Sequence, residues 1–407
     1  MRLRPRFPAR LRSLLGPDVR QSLVALALNS STSLVAGAFL GAIVGTLEEY
    51  PGLLVLVPAA IGMRGNVFGA FGNRISSTIH TGTFSLSVRP DTVLGQNVLA
   101  AGILTVGISL VAAVLAKAVS VGLGLGGTIP LLDLATVSII GGVFGSVIVL
   151  GATLGLTVGA VRYGWDLDNV NAPLVSTLGD VLTLPALWVA TFLLGVAVVS
   201  TSLGALLAAA AVVLLVVGWR TSRSELRRIV RESVPVLSAA AFLSAMAGIT
   251  LEKSFADLDR FPALLVLVPA FVSSAGALGG MLSGRLSSKM LLGLVEPEGV
   301  PGRVARRDIG FAFLLAAPVY AFNGAGAHAV ARMLGQRSPG LDGMLLASLV
   351  AGMLAIAFVV VVAYYGTIAA FRIGLDPDTY GIPVVSSSVD FVGALVLVLT
   401  VTSLNVV

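Results

Sequence analysis

The sequence predicts an all-α polytopic membrane protein of about eleven transmembrane helices. They are expected as two parallel five-helix repeats joined by one linker helix, with a pseudo-two-fold axis along the membrane normal. Three observations lead there. The 407 residues are 56% hydrophobic and only 11% charged, too apolar for a water-soluble globule. Apolar runs near or above the ~20 residues that cross a bilayer recur along the chain. The second half of the chain also repeats the first at a nearly constant offset.

The spans are expected at 21–45, 52–83, 92–121, 130–163, 172–200, 203–220, 233–257, 262–293, 306–334, 341–373 and 382–406. Ahead of the first lies MRLRPRFPARLRSLLGPDVR, basic and proline-broken. It lacks the adjacent apolar core and small-residue cleavage site of a signal peptide and reads as a cytosolic tail. Pro58 and Pro269 fall inside spans two and eight and are expected to break or kink them, freeing carbonyls that often line an ion path. Gly141, Gly145, Gly151, Gly155 and Gly159 give span four the spacing for close helix contact. RTSRSELRRIVRE (220–232) reads as a basic cytosolic loop between spans six and seven. With the N-terminus inside, 17 of the 26 Lys and Arg fall in inner segments and five in outer ones. That bias predicts a multi-pass cell-membrane protein, inner or plasma, with a cytosolic N-terminus and an outer C-terminus. Arg74 and Arg285 match each other near the cytosolic end and are expected to snorkel or pair with acids.

The repeat is explicit. LLVLVPAAIGMRGNVFGAFGNRISSTIHTG (53–82) matches LLVLVPAFVSSAGALGGMLSGRLSSKMLLG (264–293) at 13 of 30 positions, offset 211. RYGWDLDNVNAPLVSTLGD (162–180) matches RIGLDPDTYGIPVVSSSVD (372–390) at offset 210. The organisation is therefore a tail (1–20), a first five-helix repeat (21–200), a linker helix with its basic loop (201–232), and a second repeat (233–407). Five spans leave the chain on the far side of the bilayer. The extra span GALLAAAAVVLLVVGW (204–219) returns it, so both repeats insert the same way round.

Of the 20 acidic residues, only Asp180 and Asp390 lie well inside a span. Each is about eight residues past the start of its span, on the order of 12 Å from the cytosolic end. A charge at such depth costs ~2.5–3.5 kcal/mol on insertion scales, so a matched pair points to a shared site. Ser176, Thr177, Ser386, Ser387 and Ser388 add neighbouring oxygens. An all-oxygen set suits a hard cation, and Mg²⁺, which keeps much of its water, suits a site with two carboxylates and few other ligands. The other reading is that each Asp pairs with a helix dipole or an Arg to hold spans together. At the inner mouth Asp166, Asp168, Asp376 and Asp378 either cap helices or form an acidic vestibule. Arg64 and Asn66 add mid-span polar groups in the first repeat only, where the second has Ala275 and Ala277.

Two sets of residues carry a family resemblance: PGLLVLVPAAIGMRGN…NRISS (51–77) with PALLVLVPAF…GRLSS (262–288), and GWDLDNVNAPLVSTLGD (164–180) with GLDPDTYGIPVVSSSVD (374–390). Both halves resemble the membrane domain of the MgtE family, and their fusion resembles solute carrier family 41. The resemblance implies a Mg²⁺ channel or transporter, with Mn²⁺ or other divalent cations as possible cargo. It implies a pore between two five-span units, here a pseudo-dimer in one chain from which a higher oligomer can still form. It maps the ion-binding acid of the fifth span onto Asp180 and Asp390. Since about twenty residues precede the first span, the cytosolic acidic and CBS domains that gate MgtE are expected to be lacking. The GN of the first copy is Gly276-Ala277 in the second, which puts a symmetric role for Asn66 in doubt.

Other classes fit less well. With no cysteine and two histidines, thiolate and His-based metal sites are disfavoured, and nothing suggests nucleic acid. Leu178-Gly179-Asp180 and Pro185-Ala186-Leu187 echo intramembrane aspartyl proteases, but residue 177 is Thr, the PAL-like run shares a helix with Asp180, and Asp390 follows Val389. The expectation is therefore not an enzyme. An exchanger coupling divalent flux to Na⁺ or H⁺, and a non-transporting scaffold, remain alternatives.

Overall fold

The computed structural model describes residues 17–80, 84–163, 167–195, 197–254, 260–291, 293–373 and 382–404. Among these residues twelve α-helices run in chain order: α1 Pro17–Ala42, α2 Val44–Glu49, α3 Leu53–His80, α4 Val93–Gly122, α5 Leu131–Tyr163 and α6 Leu167–Thr191, then α7 Ala197–Arg220, α8 Ser224–Lys253, α9 Pro262–Leu291, α10 Arg303–Met333, α11 Leu341–Ile373 and α12 Ile382–Ser403. Among the described residues, eleven are long and apolar enough to cross a membrane, all but α2. The protein is a polytopic all-α membrane protein.

Some boundaries move, for identifiable reasons. The basic segment expected as a loop is helical from Ser224. Leu226, Ile229 and Val230 recur at helical spacing and are buried, while Arg228 pairs with Glu225 at 2.8 Å on the outer face. The Leu226 amide donates to Gln96 Oε1 at 3.1 Å, which ties this amphipathic turn to α4. Near the other boundary α6 ends at Thr191, and a 3₁₀ turn at Phe192–Gly195 precedes α7. Pro58 and Pro269 do not break their helices: α3 and α9 run continuously through them. Pro58 is the sixth residue of α3 and Pro269 the eighth of α9, so each removes one N–H from the backbone ladder without ending the helix. The start of α3 is instead held from across the molecule, by Glu252 Oε1 of α8 accepting from the Gly52 amide at 3.0 Å.

Burial separates the helices by role. The most apolar stretch of α9 is 67% buried and that of the linker α7 only 17%. α7 packs on α4 and α5 and leaves Leu206, Val213 and Val217 exposed, as a lipid-facing helix does. α3 and α9 sit at the centre, each packed against helices of its own repeat.

The repeat seen in sequence is not the packing unit. α1 packs on α9 and α10 of the second repeat, and α8 packs on α3 and α4 of the first. The repeats thus exchange their first helices, and the two exchanges match. A Cβ on Gly37 of α1 would lie 2.0 Å from the Val266 carbonyl oxygen of α9, and one on Gly248 of α8 would lie 2.3 Å from that of Val55 in α3. Gly37 and Gly248, and Val55 and Val266, are each 211 residues apart, so the contact repeats as a two-fold interface requires. Bare glycine backbone lets helices without a water-driven force between them approach closely.

Candidate functional site

The two intramembrane aspartates lie where the exchanged helices meet. Asp180, on α6, is buried, and its Oδ2 accepts from Ser33 Oγ of α1 at 2.9 Å and from Ser273 Oγ of α9 at 3.1 Å. Ser273 Oγ also lies 3.2 Å from Asn29 Oδ1, while Asn29 Nδ2 is buried without a partner. One hydroxyl proton cannot serve two acceptors fully. The consistent assignment turns the Asn29 amide over, so that it donates to Ser273 Oγ and the serine proton goes to Asp180. Next to this chain, Ser30 Oγ and Ser274 Oγ are 3.1 Å apart, and Asn323 Nδ2 of α10 donates to Ser274 at 2.8 Å.

Asp390, on α12, has the matching partner and a different neighbourhood. Its Oδ2 accepts from Ser244 Oγ of α8 at 3.2 Å. Ser244 stands 211 residues after Ser33, so each carboxylate is held by the same serine of the exchanged first helix. The counterpart of Ser273 is Gly62, which has no hydroxyl to offer; a Cβ there would lie 3.8 Å from Asp390 Oδ2 and 3.7 Å from Ser244 Oγ. In place of the serine and asparagine network is a small cavity, bordered by Gly62 and Asn66 of α3, Ala240 and Ser244 of α8, and Ser387 of α12. Asp180 and Asp390 are near enough to interact electrostatically, but no group of three or more acidic or histidine side chains forms a metal cluster among the described residues.

The other expected site residues divide. Asn66 and Ser387 line the cavity beside Asp390, and Ser387 Oγ is buried without a partner. Thr177 is half-buried on α6, three residues before Asp180. Ser386 Oγ donates to the Pro383 carbonyl at 3.3 Å, a local helix bond. Asp166, Asp376 and Asp378 lie outside the described residues, as do the side chains of Asp168 and Ser176. The hydroxyls that hold the carboxylates, Ser33, Ser244 and Ser273, come from other helices than the aspartates. The signal that marks them is the polar run LNSSTS (28–33) inside an apolar span, with Ser244 repeating its last residue.

Arg64 is fully buried in α3, away from any carboxylate pairing among the described residues. Its guanidinium donates to the Gly141 carbonyl at 2.6 Å and to Thr183 Oγ1, and its Nε has no partner. The space for it is made by glycine: a Cβ on Gly145 would lie 2.6 Å from Arg64 Nε, and one on Gly179 would lie 3.6 Å from Arg64 Cβ. So Gly141 and Gly145 serve close contact, whereas a Cβ at Gly151 or Gly155 would meet nothing. Of the matched Arg74 and Arg285, Arg285 pairs with an acid and Arg74 bonds an amide. Arg74 Nε donates to Asn97 Oδ1 at 2.7 Å, and Arg285 approaches Asp308 at 3.8 Å and lies over the Phe311 ring at 4.2 Å. Asn97 and Asp308 are themselves 211 apart.

This arrangement offers buried carboxylate, hydroxyl and amide oxygens between two related helix sets, a donor chemistry for hard cations. The family model described as MgtE, divalent cation transporter, matches residues 57–190 and 268–400, well over half the chain and once in each repeat. No curated protein and no solved structure matches.

Proposed function

The chain belongs to the MgtE family of divalent cation transporters, and from that premise we propose that it carries Mg²⁺ between its two repeats. Asp180 and Asp390 are the acidic ligands along the way. The observation that carries this reading is the matched placement of the two carboxylates. Each lies where a helix of the other repeat closes on it, and each accepts from the same serine of the exchanged first helix. Two carboxylates inside membrane spans, Asp180 buried and Asp390 half-buried, are costly in a bilayer, and a divalent cation passing between them offsets that cost. Mg²⁺ is favoured over softer ions because every polar atom at the site is oxygen or amide nitrogen. In this reading the protein acts as a single-chain pseudo-dimer in the cell membrane, with a cytosolic N-terminus and an outer C-terminus.

The test is Mg²⁺ flux into liposomes holding the purified protein, with Asp180→Asn and Asp390→Asn beside the wild type. Each substitution is expected to cut flux at least about tenfold, the scale of a lost charged ligand. Flux like the wild type from both variants would move the pathway elsewhere.

A further inference from the structure

The two carboxylates are related by duplication, yet their surroundings are not. Around Asp180 the junction of α1, α9 and α10 is filled by Asn29, Ser30, Ser273, Ser274 and Asn323, bonded to one another or to the carboxylate. The corresponding positions around Asp390 are Ala240, Ala241, Gly62, Met63 and Ala112. Only the serine directly beneath each aspartate is kept. Four of those replacements, Ala240, Ala241, Gly62 and Met63, border the cavity. The cavity is therefore the imprint of a hydrogen-bonded network present on one side and missing on the other.

The cavity also has polar walls, of which Ser387 keeps a hydroxyl counterpart, Thr177, on the Asp180 side and Asn66 does not. Asn66 borders it, and its counterpart is Ala277. Ser387 borders it, is 1% exposed, and its Oγ has no partner. Ser387 lies three residues before Asp390 on α12, on the same face. Leaving a buried hydroxyl unbonded beside a carboxylate is costly unless something comes to it. The space accepts on the order of one water-sized particle, so an ion entering it must trade part of its hydration shell for protein oxygens.

From this asymmetry we propose that the cation's tighter station lies off the pseudo-two-fold axis, at Asp390. Its ligands there are Asp390, the Asn66 side-chain oxygen and the Ser387 and Ser244 hydroxyls. Asp180, whose Oδ2 already accepts from two serine hydroxyls, is the weaker acidic station on the same pathway. This rests on the proposed cation transport and adds which of the two carboxylates binds the ion more tightly. A hard divalent ion with one carboxylate, a few neutral oxygens and retained water fits this set.

Gly62 allows a direct test, because a side chain fits there: its Cβ would meet Asp390 Oδ2 and Ser244 Oγ at ordinary contact distance. Gly62→Ser gives Asp390 the hydroxyl that Ser273 gives Asp180; Ser273→Gly does the reverse. The readout is the Mg²⁺ concentration that half-protects the purified full-length protein against thermal unfolding, with liposome flux measured in parallel. Gly62→Ser, Asn66→Ala and Ser387→Ala are expected to raise that concentration by about tenfold, the scale of a hydrogen bond to a charged group. Ser273→Gly is expected to shift it by clearly less. Equal shifts from Gly62→Ser and Ser273→Gly, or no shift from Asn66→Ala and Ser387→Ala, would overturn the one-sided site. If the flux of Asp180→Asn and Asp390→Asn is impaired while the two serine and glycine swaps act alike, only the asymmetry fails. If neither aspartate variant changes flux, the transport reading itself fails.

Discussion

The seat of α1 on α9 and the seat of α8 on α3 are two copies of one interface, alike in shape and unlike in chemistry. Glycine meets a valine carbonyl in both, at Gly37 on Val266 and at Gly248 on Val55. A serine of the incoming helix holds the aspartate in both. The divergence is concentrated in α3 and α9, where Gly62, Arg64 and Asn66 answer to Ser273, Ala275 and Ala277. Duplication has kept the contacts that seat the exchanged helices and changed those around the carboxylates, together with the packing of Arg64 inside the first repeat. A homodimer could not do this, because its two faces share one sequence.

Arg64 is the largest of these differences, and its surroundings have changed to fit it. It lies against Gly141, Gly145 and Gly179; the counterparts around Ala275 are Ala351, Ala355 and Val389. Volume removed from one side chain has been returned by three neighbours, as close packing demands. Arg64→Ala is expected to destabilise the protein by about 2–5 kcal/mol, the scale of a large-to-small change with a residual cavity. Arg64→Met should cost less, since it fills the space without a buried cation that lacks an acidic partner. Adding Gly145→Ala and Gly179→Val to Arg64→Ala transplants the second repeat's solution and should restore part of the loss. Thermal unfolding in detergent measures all three. A triple variant no more stable than Arg64→Ala would mean that Arg64 holds α5 and α6 by its hydrogen bonds and not by its volume.

The exchanged-helix contact should respond symmetrically. Gly37→Ala and Gly248→Ala each drive a methyl group into backbone, at 2.0 and 2.3 Å from a carbonyl oxygen. Backbone cannot swing aside as a side chain can, so each should cost about 1–3 kcal/mol. The two losses should agree closely in a thermal melt. Tolerance of one and not the other would show that the helix exchange is firm on one side only.

What the sequence made legible follows the same division. Eleven apolar runs, the offset near 210 and the matched aspartates can be read because each is a local pattern or a copy of one. The helical start of α8 at Ser224 is masked by its arginines, although Leu226, Ile229 and Val230 keep helical spacing beneath them. Pro58 and Pro269 do not mark helix ends, because a proline removes one N–H from the ladder and the bonds on either side carry the helix through it. The exchange of α1 and α8 has no one-dimensional signature, since glycine spacing shows that a helix is approached closely and not by which partner. For the same reason Ser33, Ser244 and Ser273 stay hidden as carboxylate partners: they lie 147, 146 and 93 residues from the aspartates they hold.

The gentlest probe of the kept symmetry lies away from the aspartates. Ser138 Oγ donates to the Ser109 carbonyl and Ser348 Oγ to the Tyr320 carbonyl, both at 2.7 Å. Both bonds join the third and fourth spans of a repeat, and each runs beside a glycine that admits the partner's side chain: Gly142 against Ser109 and Gly352 against the Tyr320 ring. The acceptor carbonyls belong to helices whose own ladders already use them, so losing the serine leaves no orphan. Interhelical hydrogen bonds in a membrane average about 0.6 kcal/mol, and Ser138→Ala and Ser348→Ala should each cost about that much. The bulk of Tyr320 should not separate them, because the ring lies against Gly352 and not against the serine hydroxyl's path. A loss several times larger at Ser348 would place the tyrosine's packing under the control of that hydrogen bond, and the symmetry of these contacts would then be one of geometry without equal energy.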